Sequence, residues 1–237
     1  GLDPLLVDSH LDLDNDTISN IQEYDNYLID SEIFSQTNPE LRAYWRFDSF
    51  DAVFAVDSTL NANFAFMTNG PVKGPAKYSN GIYCDGVTSH LSMDSIKNSK
   101  FTEYTVHSWV KLTNYTGFGT IFGTATDGRT WLGIDSDGFI QFRVFAGNTL
   151  YSTPLENDTK AVLDVWYHVA ATYSETDNSL RLYVNGTLAT NTTISSSHSI
   201  KTTGNKNYIC RGQNGDYLNG TVDNIAVWER AFSEDEI

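Results

Sequence analysis

Between Asp12 and Glu23 the chain reads D-L-D-N-D-T-I-S-N-I-Q-E, with carboxylates at positions 1, 3, 5 and 12 of a twelve-residue window. That spacing suits a hard cation. Ca²⁺ takes six to eight oxygens at about 2.3–2.6 Å, and alternate acids on a tight turn supply several of them. Asp12, Asp14 and Asp16 would each give one oxygen, and Ile18 its backbone carbonyl. Asn20 would coordinate directly or through water, and Glu23 would close the loop with both oxygens. Thr17 stands at position 6, where glycine normally eases the sharp turn, and this bears on affinity.

Charge frames that loop. The 237 residues carry 30 acids against 15 Lys and Arg, a net −15. Residues 1–40 hold ten of the acids and no Lys or Arg. Such a segment repels itself unless a cation neutralises it. Nucleic-acid phosphates would be repelled as well, and no basic stripe offsets this, so nucleic acid is excluded as a partner. No run of 18 apolar residues is present, so membrane insertion is not expected.

The remaining chemistry-bearing residues form no reactive constellation. Cys84 and Cys210 lack zinc-ligand spacing; both lie in strand-like runs, either as a disulfide or as two buried thiols. Among the five His, His168 sits within a strand-like run and reads as structural. There is no GxGxxG, P-loop or HExxH. Asn-x-Thr sequons at Asn15, Asn114, Asn157, Asn185, Asn191 and Asn219 point to a secreted glycoprotein.

The elements that must position these residues are strands. Residues 41–237 alternate short β-rich runs with turn signals every 8–12 residues, the rhythm of an antiparallel sandwich. Expected runs are Ala43–Asp48, Gly81–Met93 broken at Asp85-Gly86, Tyr104–Leu112, Thr120–Gly123, Thr130–Ile134 and Phe139–Phe145. Further runs follow at Trp166–Tyr173, Leu180–Val184, Thr187–Thr193, Tyr208–Arg211 and Tyr217–Trp228. Asn185-Gly186 marks a tight hairpin. Ser233–Glu236 reads as a helix start with a capping box. The expected organisation is a calcium-loop segment over 1–40 and a β domain over 41–237.

Two resemblances sharpen this. DLDNDTISNIQEY resembles the D-x-D-x-D-G-L-S-N-x-x-E-Y calcium repeats of the thrombospondin type-3-like class, and the Asp3-Pro4 and Asn38-Pro39 pairs resemble the ends of successive repeats. This implies a piece of a longer extracellular chain with neighbouring domains. Residues 41–237 resemble the laminin-G-like, concanavalin A-like and pentraxin-like jelly rolls. The resemblance is carried by LRAYWRFD (41–48), DSTLNAN (57–63), IYCDG (82–86), YTVHSWVK (104–111), WYHVAATYSETDNSLRLYVNG (166–186) and NGTVDNIAVWER (219–230). It implies an all-β, two-sheet antiparallel jelly-roll β-sandwich. It also implies a second Ca²⁺ at the rim, held by Asp57, the Asn61 carbonyl and Asp223, with Asn63 a lesser candidate.

The same fold hosts glycanases, whose E-x-D-x-x-E strand is absent here, so no catalytic residue is assigned. The resemblance implies a non-catalytic, secreted or cell-surface adhesion or carbohydrate-binding module. Its partners would be glycans or extracellular proteins. The alternatives are an architectural spacer and an accessory domain of a glycoside hydrolase. Trp131 and Tyr217, with Phe118 and Tyr151, are the candidate sugar-stacking aromatics; Trp45, Trp109, Trp166 and Trp228 are expected to pack in the core.

Overall fold

Side-chain alternation along the runs builds strands with one apolar face, and two such sheets bury those faces against each other. In the computed structural model the described residues are 38–48, 53–94, 96, 100–124, 130–146, 149–195, 200–201, 206–212 and 215–237. The chain divides into two units, Gly1–Pro39 and Glu40–Ile237. The described residues fall in the second unit, save Asn38 and Pro39.

In chain order the strands are β1 (Leu41–Trp45), β2 (Phe54–Ala55), β3 (Ala65–Thr68), β4 (Val72–Pro75), β5 (Asn80–Asp85) and β6 (His90–Met93). Then come β7 (Lys100–Phe101), β8 (Glu103–Asn114), β9 (Gly119–Thr124), β10 (Thr130–Ile134), β11 (Ile140–Ala146) and β12 (Thr149–Ser152). The last are β13 (Trp166–Ser174), β14 (Ser179–Val184), β15 (Thr187–Thr193), β16 (Ile200–Lys201), β17 (Asn207–Ile209) and β18 (Asn219–Trp228). The first sheet runs β15-β14-β13-β8-β18-β5-β4, with β1 also on β18; the second runs β12-β11-β10-β9-β17-β6-β3-β2. All strand pairings in both sheets are antiparallel. The described residues form the two-sheet antiparallel sandwich expected of a jelly roll.

The core lies between the sheets. Val106, Val110 and Leu112 of β8 face Ile140, Phe142 and Val144 of β11 in one cluster of buried side chains. Ser108 is buried among them, and its one hydroxyl proton is within reach of both the Trp109 (2.9 Å) and Asp223 (3.1 Å) carbonyls, which removes the cost of an unpaired buried hydroxyl. A disulfide joins Cys84 of β5 to Cys210, one residue past β17, and so ties the first sheet to the second. Both cysteines are fully buried.

Turn chemistry sets the register. Asn185 and Gly186 both have positive φ (51° and 77°), the two-residue turn that pairs Val184 with Thr187. Cys210 takes φ 65°, which ends β17 before Arg211 and shortens the run expected to extend to Arg211. The Ser233–Glu236 signal yields a single 3-10 turn, with the Ser233 N–H donating to Glu236 Oε2 at 2.9 Å.

Candidate functional site

The rim loop after β2 is organised around Asp57. Its Oδ1 accepts from the Tyr44 N–H (3.0 Å) and the Thr59 N–H (2.9 Å). Its Oδ2 accepts from the Thr59 hydroxyl (2.8 Å) and the Asn63 N–H (2.8 Å). All four acceptor directions of this buried carboxylate are used by its own chain. Asn61 Nδ2 donates to the Leu41 and Arg42 carbonyls, and Asn63 Nδ2 to the Arg42 carbonyl. Together the three residues sew the loop to β1. Ala62 takes the left-handed conformation here, φ 56°, that a glycine would take without cost.

Asp223 is different. It is fully buried on β18; Oδ2 accepts the Tyr78 N–H at 2.8 Å, while Oδ1 has no hydrogen-bond partner. Burial, reinforced by Asp48, pushes its carboxyl up to about 7 against the opposing pull of the Tyr78 and Asn224 N–H groups and Arg46. Asp48 is paired with Arg46 (3.3 Å). An orphaned buried carboxylate oxygen beside a second carboxylate fits a cation, so the rim candidates separate into a saturated Asp57 and an open Asp223. Among the described residues no three His, Cys, Asp or Glu side chains converge as a metal cluster. Asp12, Asp14, Asp16, Ile18, Asn20 and Glu23 lie outside the described residues.

The outer face of the second sheet carries one unbroken row. Phe54 of β2 pairs with Phe66 of β3, which pairs with Ser92 of β6, which pairs with Tyr208 of β17. The row continues from Tyr208 to Gly123 of β9, Trp131 of β10, Arg143 of β11 and Ser152 of β12. Neighbours along each strand point inward to the core, so these side chains point out. Phe66 is 51% exposed.

The row is held from below and beside. Arg143 lies 4.1 Å over the Phe118 ring and donates from Nε to Gln141. Trp131 tilts against Phe145 at 6.1 Å. Next to Tyr208, Arg211 lies over its ring (4.7 Å) and reaches Tyr217 (5.8 Å), while the His90 ring touches both tyrosines. Arg211 has only donors, so the 3.3 Å contact from its Nη1 makes His90 Nε2 the acceptor and puts the His90 proton on Nδ1, towards the Thr88 carbonyl. Burial holds His90 below its ordinary value, with Arg211 adding to this, which keeps it neutral. Arg211 Nε is buried and unpartnered. Tyr217 therefore joins the cluster beside the row and Trp131 lies within it, whereas Tyr151 lies largely against the core, with its hydroxyl 3.0 Å from Ser195.

Sequence reasoning missed Phe66, Tyr208, Arg143, Arg211 and His90. The alternation of FIQFRVF did place Arg143 opposite Phe142 and Val144, and would have found it; the three-residue β17 was too short to show which way Tyr208 points. Two of the tryptophans expected in the core are on the other outer face. Trp45 and Trp228 are fully buried, but Trp109 and Trp166 alternate with Val110 and pair with His168 and Lys111 on the outside of the first sheet. There Lys77 covers Trp109 (4.8 Å), Lys111 covers Trp166 (5.2 Å), and His107 and His168 sit 5.5 Å apart.

Known proteins share this architecture. Domain 4 of AbnA, an extracellular arabinanase from Geobacillus stearothermophilus, in complex with arabinotriose, superposes with TM-score 0.68 at 20% identity, over 83% of this chain and 96% of that one. The binding domain of Paraclostridial Mosquitocidal Protein 1 does so with TM-score 0.67 at 15% identity, over 83% and 50%. The binding domain of Botulinum Neurotoxin DC in complex with SialylT gives 0.64 at 12%, over 84% and 50%. These likenesses show the fold. In sequence, the Mus musculus pentraxin-related protein PTX3 is 27% identical over 159 residues, 62% of this chain; the chain spans about two fifths of that relative's length. The Laminin_G_3 family matches residues 85–237, well over half of the chain, and the chain thus belongs to the concanavalin A-like lectin/glucanases superfamily.

Proposed function

We propose that this chain is a non-catalytic carbohydrate-binding module of an extracellular protein, and that its ligand lies on the outer face of the second sheet. The observation that carries this reading is the row in which Phe66, Tyr208 and Trp131 face outward with Arg143 at their side. Aromatic rings stack on sugar faces while nearby donors take the hydroxyls. The row positions themselves carry no Asp or Glu, while Asp216 and Asp135 lie near enough to act on Arg143. The buried disulfide suits an oxidising compartment, and the relatives include an arabinanase described as extracellular. Among the described residues no helix is long and apolar enough to cross a membrane.

Calcium belongs to the proposal at two places. Asp12, Asp14, Asp16, the Ile18 carbonyl, Asn20 and Glu23 would hold one ion in a thrombospondin type-3-like loop. Asp223, through its open Oδ1, and Asp48 would hold a second at the rim. A glycan array probed with the full chain, with calcium and with chelator, tests the reading. Retention of glycans by the native chain and its loss in Trp131→Ala support it; an empty array under both conditions overturns it.

A further inference from the structure

Arg211 is a cation without an anion. Among the described residues no carboxylate pairs with it, whereas Arg143 on the same face is drawn on by both Asp216 and Asp135. Rings hold the Arg211 guanidinium instead. It lies 4.7 Å over Tyr208 and 5.8 Å from Tyr217, and Nη1 donates to His90 Nε2 at 3.3 Å. His90 shares the outward side of β6 with Ser92, yet it is only 4% exposed, because Arg211 and the two tyrosines close over it. Arg211 also follows Cys210, whose disulfide to Cys84 pins the backbone beneath the cluster.

Much hydrogen-bonding capacity is left unspent here. Among the described residues Arg211 Nε, Arg211 Nη2 and the Tyr208 and Tyr217 hydroxyls have no protein partner. Nε is buried, which leaves the Nη2 edge for a ligand. Nη1 keeps a second proton, so Nη1 and Nη2 together retain the two-pronged fork that matches a carboxylate. The rings around the guanidinium take the place of water, which strengthens any charge-assisted hydrogen bond made to it.

Resting on the carbohydrate reading above, we infer that the ligand is an acidic sugar, a uronic or sialic acid residue whose carboxylate pairs with Arg211 while the Tyr208 and Tyr217 hydroxyls meet its hydroxyl groups. A neutral sugar would leave the guanidinium as unpaired as before. A densely sulfated chain would need many cations acting together. Arg143 adds little free charge because Asp216 and Asp135 balance it, and a chain of net −15 repels a polyanion. A single guanidinium suits a single carboxylate. Trp131 offers its ring to neutral and acidic sugars alike, so mutation separates the two contributions.

The test is biolayer interferometry of the full chain against immobilised glycans in matched pairs: polygalacturonate and its methyl ester, sialyllactose and lactose, with heparin as the sulfated control. The expected result is binding to the acid member of at least one pair about tenfold tighter than to the neutral member, the scale of one charge-assisted pair. The pair that shows it tells a uronate from a sialate. Arg211→Gln should erase the preference, and Arg211→Lys should restore only part of it, since an ammonium lacks the planar fork. Trp131→Ala should weaken both members and leave their ratio standing. The readout is a ratio between two glycans on one protein, so a loss of stability in a variant does not imitate it. Equal affinity within both pairs, or a preference that survives Arg211→Gln, would overturn the acidic ligand and leave the carbohydrate reading standing. Retention by heparin and by neither acid would overturn the carboxylate. Binding to none of the five would overturn this inference as well, and the wider glycan array then decides the carbohydrate reading.

Discussion

Tyr208 and Trp131 stand on either side of Gly123, one strand away each, on the same outward face of the second sheet. Gly123→Ala would press its methyl against Trp131 Cδ1 and the Thr130 carbonyl, both 3.0 Å away. We expect a loss of about 1–3 kcal/mol in stability from this overpacking, together with weakened glycan binding. Trp131→Ala, at a half-buried site, should weaken binding at least as much while costing less stability. Chemical denaturation beside calorimetric titration separates the two.

Asp57→Ala strands four donors, those of Tyr44, Asn63 and two of Thr59. A loss of about 2–4 kcal/mol is expected, because orphaned buried donors cost more than the bonds themselves contribute. The calcium response of the protein should survive in this variant, since the carboxylate is saturated by its own loop. Melting curves with and without calcium check both halves.

Calcium should raise the melting temperature and chelator should lower it, because an ion held only by the folded state stabilises it. Asp14→Ala with Glu23→Ala removes the part owed to the acidic loop. Asp223→Asn removes the part owed to the rim, and raises the stability of the calcium-free protein at pH 8, where the native carboxylate is otherwise buried and charged with Oδ1 unpaired.

Acid should weaken the fold through two buried histidines of the first sheet. Burial holds His168 down to about 4; burial and the neighbouring His168 hold His107 down to about 3. In the unfolded chain both take protons near their ordinary value of about 6.5. The unfolded state therefore binds more protons below that point, so this stabilisation is complete above pH 6.5 and is lost as pH falls towards 4 and 3. His168→Gln should reduce the slope of stability against pH between 4 and 6 by about one proton.

The disulfide should matter to the fold and to the site. Cys84 and Cys210 are 126 residues apart, and opening a loop of that size costs about 4–5 kcal/mol on a chain-entropy basis. Since Arg211 follows Cys210 directly and lies over Tyr208, Cys84→Ser with Cys210→Ser should weaken glycan binding as well. Denaturation midpoints and titrations of the double variant test this.

Most strands were readable because alternation and turn residues act locally. Thr130–Ile134 and Thr187–Thr193 match the expected bounds, and Asn185-Gly186 makes the turn its sequence demands. The strands Phe54–Ala55, Ala65–Thr68, Val72–Pro75 and Thr149–Ser152 escaped notice, since two to four residues show no period. The row across the second sheet was illegible for another reason. It joins residues from Phe54 to Tyr208 through register, which long-range pairing sets and local pattern does not. Trp109 lies outside, as its alternation with Val110 dictates, even though its motif resembles a core motif of the family.

The most direct test of the account is amide chemical-shift mapping of the full chain titrated with the oligosaccharide that the array identifies. Shifts are expected to concentrate on Phe66, Ser92, Tyr208, Gly123, Trp131 and Arg143 across the second sheet. Shifts confined instead to Trp109, Trp166 and His168 on the first sheet would contradict it.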